Sequence, residues 1–135
     1  MKILINSNNN SNMFVGCVDK SYYKKEYLTS SLWKESPCSF YWDVGGNKLV
    51  MTDETGKNKG SLNNYGCNCE CNTSVRIRIE YNPSDDSLSF YKNNICQGKA
   101  FTNLQKNISL YPSLDLWFQI GSVSIIDKDD DIFIN

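Results

Sequence analysis

The sequence predicts an all-β domain built as a sandwich of two antiparallel sheets. The clearest evidence is the segment 75–81, in which apolar residues alternate with charged ones, as in a strand with one buried face. Short strands of this kind recur along the chain and are separated by frequent turns. No helical period of apolar residues persists for even three turns. Short strands with many turns favour a two-sheet sandwich.

In the first half of the chain, the pattern predicts strands joined by connections of very different length. The predicted strands, in order, are 2–6, 13–18, 40–44 and 49–51. A low-complexity, Asn-rich loop at 6–12 joins the first two, and a turn at 45–47 joins the last two. The aromatic-rich segment 19–37 has no clean period, and we expect it to fold over the domain as a long ordered connection. The polar segment 52–65 is predicted to be a loop.

In the second half, the segment 87–104 indicates a hairpin. Leu88 and Phe90 share one face of its first strand, because side chains alternate between faces with a period of two. Asn93-Asn94 suits a two-residue turn, since Asn tolerates positive φ better than any residue except Gly. The chain then returns through a second strand.

The remaining residues supply the last core-facing positions and two terminal segments. Apolar residues at alternate positions from 108 to 116 share one face, and the segment 121–125 supplies the last core pair. The segment 127–131 is acidic and is expected to be solvated. Residues 132–134 are apolar and form a candidate closing strand beside Ile3 and Ile5.

Several of these segments, in the same order and at similar spacing, resemble the diagnostic blocks of the SPRY domain family. The matching segments are 13–17, 39–49, 87–104, 110–114 and 121–125. The segment 87–104 resembles the family's strand-turn-strand block, and 110–114 is similar to its LYPxxxL block. The resemblance covers roughly 14–126 and looks closest to the SPRY/SOCS-box and Ran-binding scaffold types.

The resemblance implies a bent, concanavalin-like jelly-roll sandwich that acts as a non-catalytic module for protein–protein interaction. Such a module docks a short peptide or a partner-protein segment, as a substrate-recognition or scaffold domain. We expect residues 1–135 to form a single monomeric domain with its core at 13–126. A full SPRY module usually has more residues ahead of this point, so we expect the chain to be part of a larger protein.

Composition narrows the classes of partner and compartment. The net charge is −1, so the electrostatic attraction that nucleic acids and anionic membranes offer to basic proteins is absent. No apolar run approaches the 18 or more residues of a membrane span. We therefore expect an intracellular protein, cytoplasmic or nuclear, whose six cysteines are thiols. Abundant Lys and Asn with a single Ala suggest an AT-rich genome.

The sequence offers little for catalysis. It contains no histidine, which excludes Ser-His-Asp and Cys-His catalysis and any imidazole metal ligand. No Gly-rich phosphate loop follows a strand and opens a helix. The paired carboxylates at 85–86 and 129–131 lie in a turn and a tail, where solvated acids are usual. We predict that the protein is not an enzyme and has no cofactor.

The spacing of Cys67, Cys69 and Cys71 raises the alternative of a metal site. Alternate residues of a strand point the same way, so three thiolates could share a zinc ion, with Cys17, Cys38 or Cys96 as a fourth ligand. The spacing differs from that of the Cys-x2-4-Cys knuckles used by structural zinc sites. We predict thiols in a loop and no bound metal.

The candidate partner-binding residues are Trp117, Asp115, Tyr41, Gly46, Val50 and Trp33. If Leu114 and Leu116 point inward, Asp115 and Trp117 point outward, and an exposed Trp is a candidate hot spot. The alternative is a bulge that turns Trp117 into the core. The same phase argument places Trp42 inward and Tyr41 outward.

The SPRY/SOCS-box relatives imply a role for two of these positions. They end in a similar block, in which a Trp matching Trp117 helps to form the peptide-binding surface. They also use a Tyr at the position of Val50, so their preference for Asn-rich peptides is not expected here. We expect one binding surface built by the loops 19–37, 44–47, 52–65 and 115–119. Trp33 either lines that surface or covers the core.

Two other functions remain as alternatives. Lectin-like sandwiches also display exposed aromatic residues, and Asp115 and Gln119 flanking Trp117 would be the sugar-binding groups of a carbohydrate-binding module. The other alternative is a purely structural domain inside a larger assembly.

Overall fold

The computed structural model describes residues 2–7, 13–22, 38–66, 74–116 and 120–126. Within these ranges the chain forms ten β-strands and one short 3-10 helix, Lys20–Tyr22. The strands are β1 (Lys2–Ser7), β2 (Met13–Asp19), β3 (Ser39–Asp43), β4 (Lys48–Thr52), β5 (Asn58–Asn63), β6 (Ser74–Asn82), β7 (Ser87–Lys92), β8 (Ile95–Phe101), β9 (Leu110–Leu116) and β10 (Ile120–Ile126). The all-β prediction is confirmed.

The strands form two five-stranded sheets. The first sheet has the order β10-β1-β6-β7-β8 and the second the order β5-β4-β3-β2-β9. The described strand pairs are antiparallel. The predicted two-sheet antiparallel sandwich is therefore confirmed.

The core lies between the two sheets and is rich in aromatic side chains. Trp42 of the second sheet and Phe90 of the first are completely buried, and their ring centroids are 5.6 Å apart. Tyr65 packs edge-on against Trp42 with a centroid distance of 5.6 Å. Leu88 is also completely buried, as the alternation in the hairpin predicts. The inward-facing residues of β3 and β7 thus make the contact between the two sheets.

The β7–β8 hairpin turns at Asn93 and Asn94, whose φ angles are 49° and 67°. These positive values at both central residues are the reason for Asn at each position. The pairing of β7 with β8 shifts register twice, and Gly98, with φ of 96°, lies within the second shift, between Lys99 and Cys96. Such bulges bend an edge strand and discourage another chain from pairing with it.

Two expectations about strands need correction. The segment 52–65 was expected to be a loop, but β5 lies within it and pairs with β4. It is an edge strand held by backbone hydrogen bonds, and Leu62 is 60% exposed, so no buried face imposes an alternating pattern. The proposed closing strand at 132–134 lies outside the described residues. Both edges of β1 already pair, with β10 and β6, which leaves no edge beside Ile3 and Ile5.

Candidate functional site

Tyr41 and Val50, both predicted to contact a partner, are buried. Their relative exposures are 0% and 4%, and they pair across β3 and β4. They do lie on the face opposite to Trp42, as the alternation predicts, and they form a second buried cluster with Phe14 and Val18. The prediction that they are accessible is therefore wrong. Alternation reports which face of a sheet a side chain occupies, and the outer face is covered here.

The row that contains Tyr41 runs across four strands. Val50 pairs with Tyr41, Tyr41 with Gly16, and Gly16 with Ser113. The Tyr41 hydroxyl lies 2.6 Å from Ser113 Oγ, across the intervening strand. A Cβ on Gly16 would collide with the carbonyl oxygen of Phe40, so only glycine fits between the two partners. The structure gives Tyr41 a role in joining β3 to β9.

Gly46 and Asp115 lie at one end of the second sheet. Gly46 is exposed in the turn after β3, and its backbone N–H donates a 2.9 Å hydrogen bond to Asp43 Oδ1. Phe14 of β2 pairs with Asp43 on one side and with Asp115 on the other. Trp117 lies outside the described residues but follows β9 directly after its last residue, Leu116. We call this end, where the 44–47 turn and residues 115–116 lie, the turn end.

The opposite end of the same sheet is formed by the last residues of β2 and β4 and the first residues of β3 and β9. We call it the open end. The connection 20–38 begins at the open end, where β2 ends. The 53–57 turn, which follows β4, lies at the same end. The 44–47 turn and residue 115 lie at the turn end, and the 52–65 segment returns there through β5, in which Asn63 pairs with Lys48. One surface built by all four loops stays a prediction, because residues 23–37 and 117–119 lie outside the described residues. Trp33 lies outside the described residues.

The open end holds a cavity of about 510 Å³ between the two sheets. One wall is made by Asp19, Cys38 and Asp53, which continue the inward-facing rows of β2, β3 and β4 beyond the apolar core. Backbone hydrogen bonds join them, 3.0 Å from Asp19 N to Cys38 O and 2.9 Å from Cys38 N to Asp53 O. The other wall is the 102–108 loop that follows β8. The loop is tied to the first sheet by Leu104 N donating to Asp86 O at 3.0 Å.

The cavity combines an apolar floor with an acidic rim. Its apolar lining residues are Phe40, Met51, Leu104 and Ile108, and its acidic ones are Asp19, Asp53 and Glu54. No lysine or arginine is among the described residues that line it. Asp53 Oδ1 accepts hydrogen bonds from Thr55 N, Thr55 Oγ1 and Lys57 N at 2.8, 2.7 and 3.0 Å. These bonds, that of the Thr55 hydroxyl above all, lower the pKa of Asp53 from its ordinary value of 3.8.

The rim also affects a neighbouring phenol. The negative charge of Glu54 is the largest cause that raises the pKa of Tyr22, and burial, Cys38 and Asp19 contribute in the same direction.

Sequence reasoning missed this site, because Asp19, Cys38 and Asp53 are far apart in the chain. The sequence did carry one signal. Each of the three residues lies two positions beyond the terminal apolar residue of an inward-facing row, so the predicted alternation places it on the same face of its strand.

The cysteines that the structure describes are Cys17, Cys38 and Cys96, and none of these three is in a disulfide. Burial raises the pKa of the Cys17 thiol to about 12. Within the described ranges, no group of three or more Cys, Asp and Glu side chains is placed to hold a metal ion. Cys67, Cys69 and Cys71 lie outside those ranges.

The two antiparallel sheets, joined by short turns and presenting loops at both ends, define an all-β sandwich of the kind that displays binding loops on a rigid scaffold. The family model of the SPRY domain matches residues 2–126, and the chain therefore belongs to the SPRY domain family. Domains of this family are generally protein-interaction modules and are typically non-catalytic. No similar protein was found among curated proteins. The described residues include no helix that is both long and apolar enough to cross a membrane.

Proposed function

We propose that this domain is a non-catalytic interaction module that docks a short segment of a partner protein at its turn end. The observation that carries the proposal is the register of the second sheet. Phe14 pairs with Asp43 and with Asp115, so the 44–47 turn and the last residues of β9 lie at the same end. Trp117 is the residue directly after Leu116, the last residue of β9, and we propose it as the main aromatic anchor.

The described part of the turn end is suited to present an anchor without much loss of conformational freedom. The Gly46 N–H is tied to Asp43 Oδ1, and Lys48 Nζ lies 4.0 Å from Asp43 Oδ2. Tyr65 N donates a 2.8 Å hydrogen bond to Asn47 O and so joins the turn to the residues after β5. A turn held in this way is preorganised, which reduces the entropy lost on binding.

Trp117→Ala tests the proposal. A phage-displayed library of random peptides is selected on the wild-type domain, and the affinities of the selected peptides are measured by fluorescence polarisation. We expect Trp117→Ala to weaken binding by about 2 kcal/mol, or roughly thirtyfold. Tyr111→Ala is the matched control, because Tyr111 is an exposed aromatic residue near the first residue of β9, at the open end. Selected peptides that bind Trp117→Ala as tightly as wild type would contradict the proposal.

Other parts of the proposal rest on the sequence. We propose a monomeric domain that binds protein rather than nucleic acid or membrane, and that works inside the cell, in the cytoplasm or the nucleus. Its near-zero net charge supports the choice of partner, since non-specific nucleic-acid binding depends on many Lys and Arg residues. A role in substrate recognition or as a scaffold suits a module of this kind.

A further inference from the structure

We propose that the cavity at the open end is a second binding site, which takes a lysine or arginine side chain from a basic segment of a partner polypeptide. It lies at the opposite end of the second sheet from the turn end, so it does not depend on the function proposed above. Its volume of about 510 Å³ is within the range of roughly 300–1,000 Å³ that is usual for ligand pockets. Three features of the cavity support this occupant: its floor, its acceptors and its charge.

The floor suits the aliphatic part of a long basic side chain. Phe40 and Leu104 are buried members of the core cluster, and Met51 and Ile108 are partly buried and pack against that cluster. Lysine and arginine have apolar stems that pack on such surfaces while the charged group reaches a polar environment. An inorganic cation would gain nothing from these residues.

The acceptors are held in place before a ligand arrives. Asp19 is only 6% exposed, and its Oδ1 accepts a 2.9 Å hydrogen bond from Ser21 N. The bonds that hold Asp53 also go to one oxygen, Oδ1. Among the described residues, no donor is assigned to Oδ2 of either carboxylate. Two fixed carboxylates with an oxygen to spare are suited to accept charge-assisted hydrogen bonds from an ammonium or guanidinium group.

The described residues that line the cavity do not balance its negative charge. Glu54 adds a third carboxylate at the rim, and no basic side chain is among the described lining residues. Lys20, which is close in sequence to Asp19, has its Nζ over the Tyr111 ring, 5.6 Å from the centroid. Lys57 is exposed, and its charge is the smallest of the effects that lower the pKa of Asp53. The turn end differs, because there Lys48 is paired with Asp43.

Nuclear magnetic resonance can test for this site directly. The full chain, labelled with 15N, is titrated with acetyl-Gly-Arg-Gly-amide, acetyl-Gly-Lys-Gly-amide and acetyl-Gly-Glu-Gly-amide. We expect the two basic peptides to shift the amide signals of Asp53, Thr55 and Leu104, and the acidic peptide to leave them unchanged. Shifts at the turn end, or equal shifts with the acidic peptide, would overturn the proposal. Spermidine is titrated separately, and a response to spermidine without a response to the peptides would also overturn it.

Variants of the acidic residues at the rim test whether the peptides bind in this cavity. Glu54→Gln changes an exposed side chain and removes one charge, so it should fold normally and weaken binding of the arginine peptide. Adding Asp53→Asn keeps an oxygen for the Thr55 and Lys57 hydrogen bonds, and we expect the double variant to bind roughly tenfold more weakly than wild type. Glu80→Gln, at an exposed carboxylate of the first sheet, is the matched control and should bind like wild type.

The two proposed sites can fail separately. Trp117→Ala should leave the titration with the arginine peptide unchanged, because the open end lies at the other end of the sheet. Unchanged affinity in the Glu54→Gln, Asp53→Asn double variant would overturn the open-end site and leave the turn-end proposal intact. Loss of the arginine-peptide response in Trp117→Ala would show that the peptide binds elsewhere.

Discussion

The Tyr41 hydroxyl lies 2.6 Å from Ser113 Oγ, and the two residues belong to strands that are not neighbours in the sheet. β2 runs between them, and it presents Gly16 at the point where the Tyr41 side chain crosses. Tyr41 is fully buried and Ser113 is 8% exposed. This hydrogen bond therefore fastens three strands of the second sheet on its outer face.

Removing either hydroxyl should destabilise the domain. Tyr41→Phe leaves the buried Ser113 hydroxyl without this partner, and we expect a loss of about 1–3 kcal/mol in the free energy of unfolding. Ser113→Ala should cost a similar amount. The double variant should be less destabilised than the sum of the two single variants, because both remove the same bond. Urea denaturation followed by circular dichroism measures all three, and strictly additive losses would contradict the coupling.

Gly16→Ala should be more damaging than a typical glycine substitution. The added methyl group would collide with the Phe40 carbonyl, which belongs to the backbone of β3 and cannot turn aside as a side chain could. We expect a loss of about 3 kcal/mol, at the upper end of the cost of overpacking. Gly98→Ala is the comparison, because nothing lies within 4 Å of a Cβ there and only its φ of 96° opposes alanine. It should cost about 1 kcal/mol, and equal thermal shifts for the two variants would contradict this explanation.

The lowered pKa of Asp53 predicts that acid weakens the fold through this residue. Its pKa in the folded protein lies below the ordinary value of 3.8, chiefly because the Thr55 hydroxyl donates to the ionised carboxylate. The contribution to stability is therefore present above pH 3.8 and is lost as the pH falls through the lower, folded-state pKa. Thermal melts of wild type and Asp53→Asn, recorded at pH values on both sides of this range, should converge at the acid end. A difference in Tm that does not depend on pH would contradict the prediction.

Cys17 and Cys96 should differ sharply in reactivity. Burial raises the pKa of Cys17 to about 12, so its thiol is protonated at neutral pH as well as shielded from reagents. Cys96 is exposed on the edge strand β8. Treatment of the folded domain with iodoacetamide at pH 8, followed by peptide mass spectrometry, should label Cys96 and leave Cys17 unmodified. Both should be labelled in urea, and rapid labelling of Cys17 without denaturant would contradict its burial.

Sequence reasoning found β7 because one of its faces is buried in the core. In β7, Leu88 and Phe90 occupy alternate positions and are fully buried, so the period of two is visible in the residues themselves. β5 was missed for the opposite reason. It is an edge strand held through its backbone, and Leu62 is mostly exposed, so the choice of residues carries no such period.

Alternation along the chain predicted neither the burial of Tyr41 nor the cavity at the open end. Alternation assigned Tyr41 to the face opposite Trp42 correctly, but it does not report whether that face is covered, and Tyr41 is buried. The cavity at the open end depends on register. Asp19, Cys38 and Asp53 become neighbours only when β2, β3 and β4 are aligned by their backbone hydrogen bonds.

The sequence by itself determined the class of fold, the hairpin with its Asn93-Asn94 turn and the family, because these depend on local alternation, turn chemistry and the order of motifs. Only the tertiary structure decided which outward-facing residues are accessible and which loops share an end of the sandwich. Those properties arise from strand order and register. Both are set by contacts between segments that are distant in the chain, and no local pattern records them.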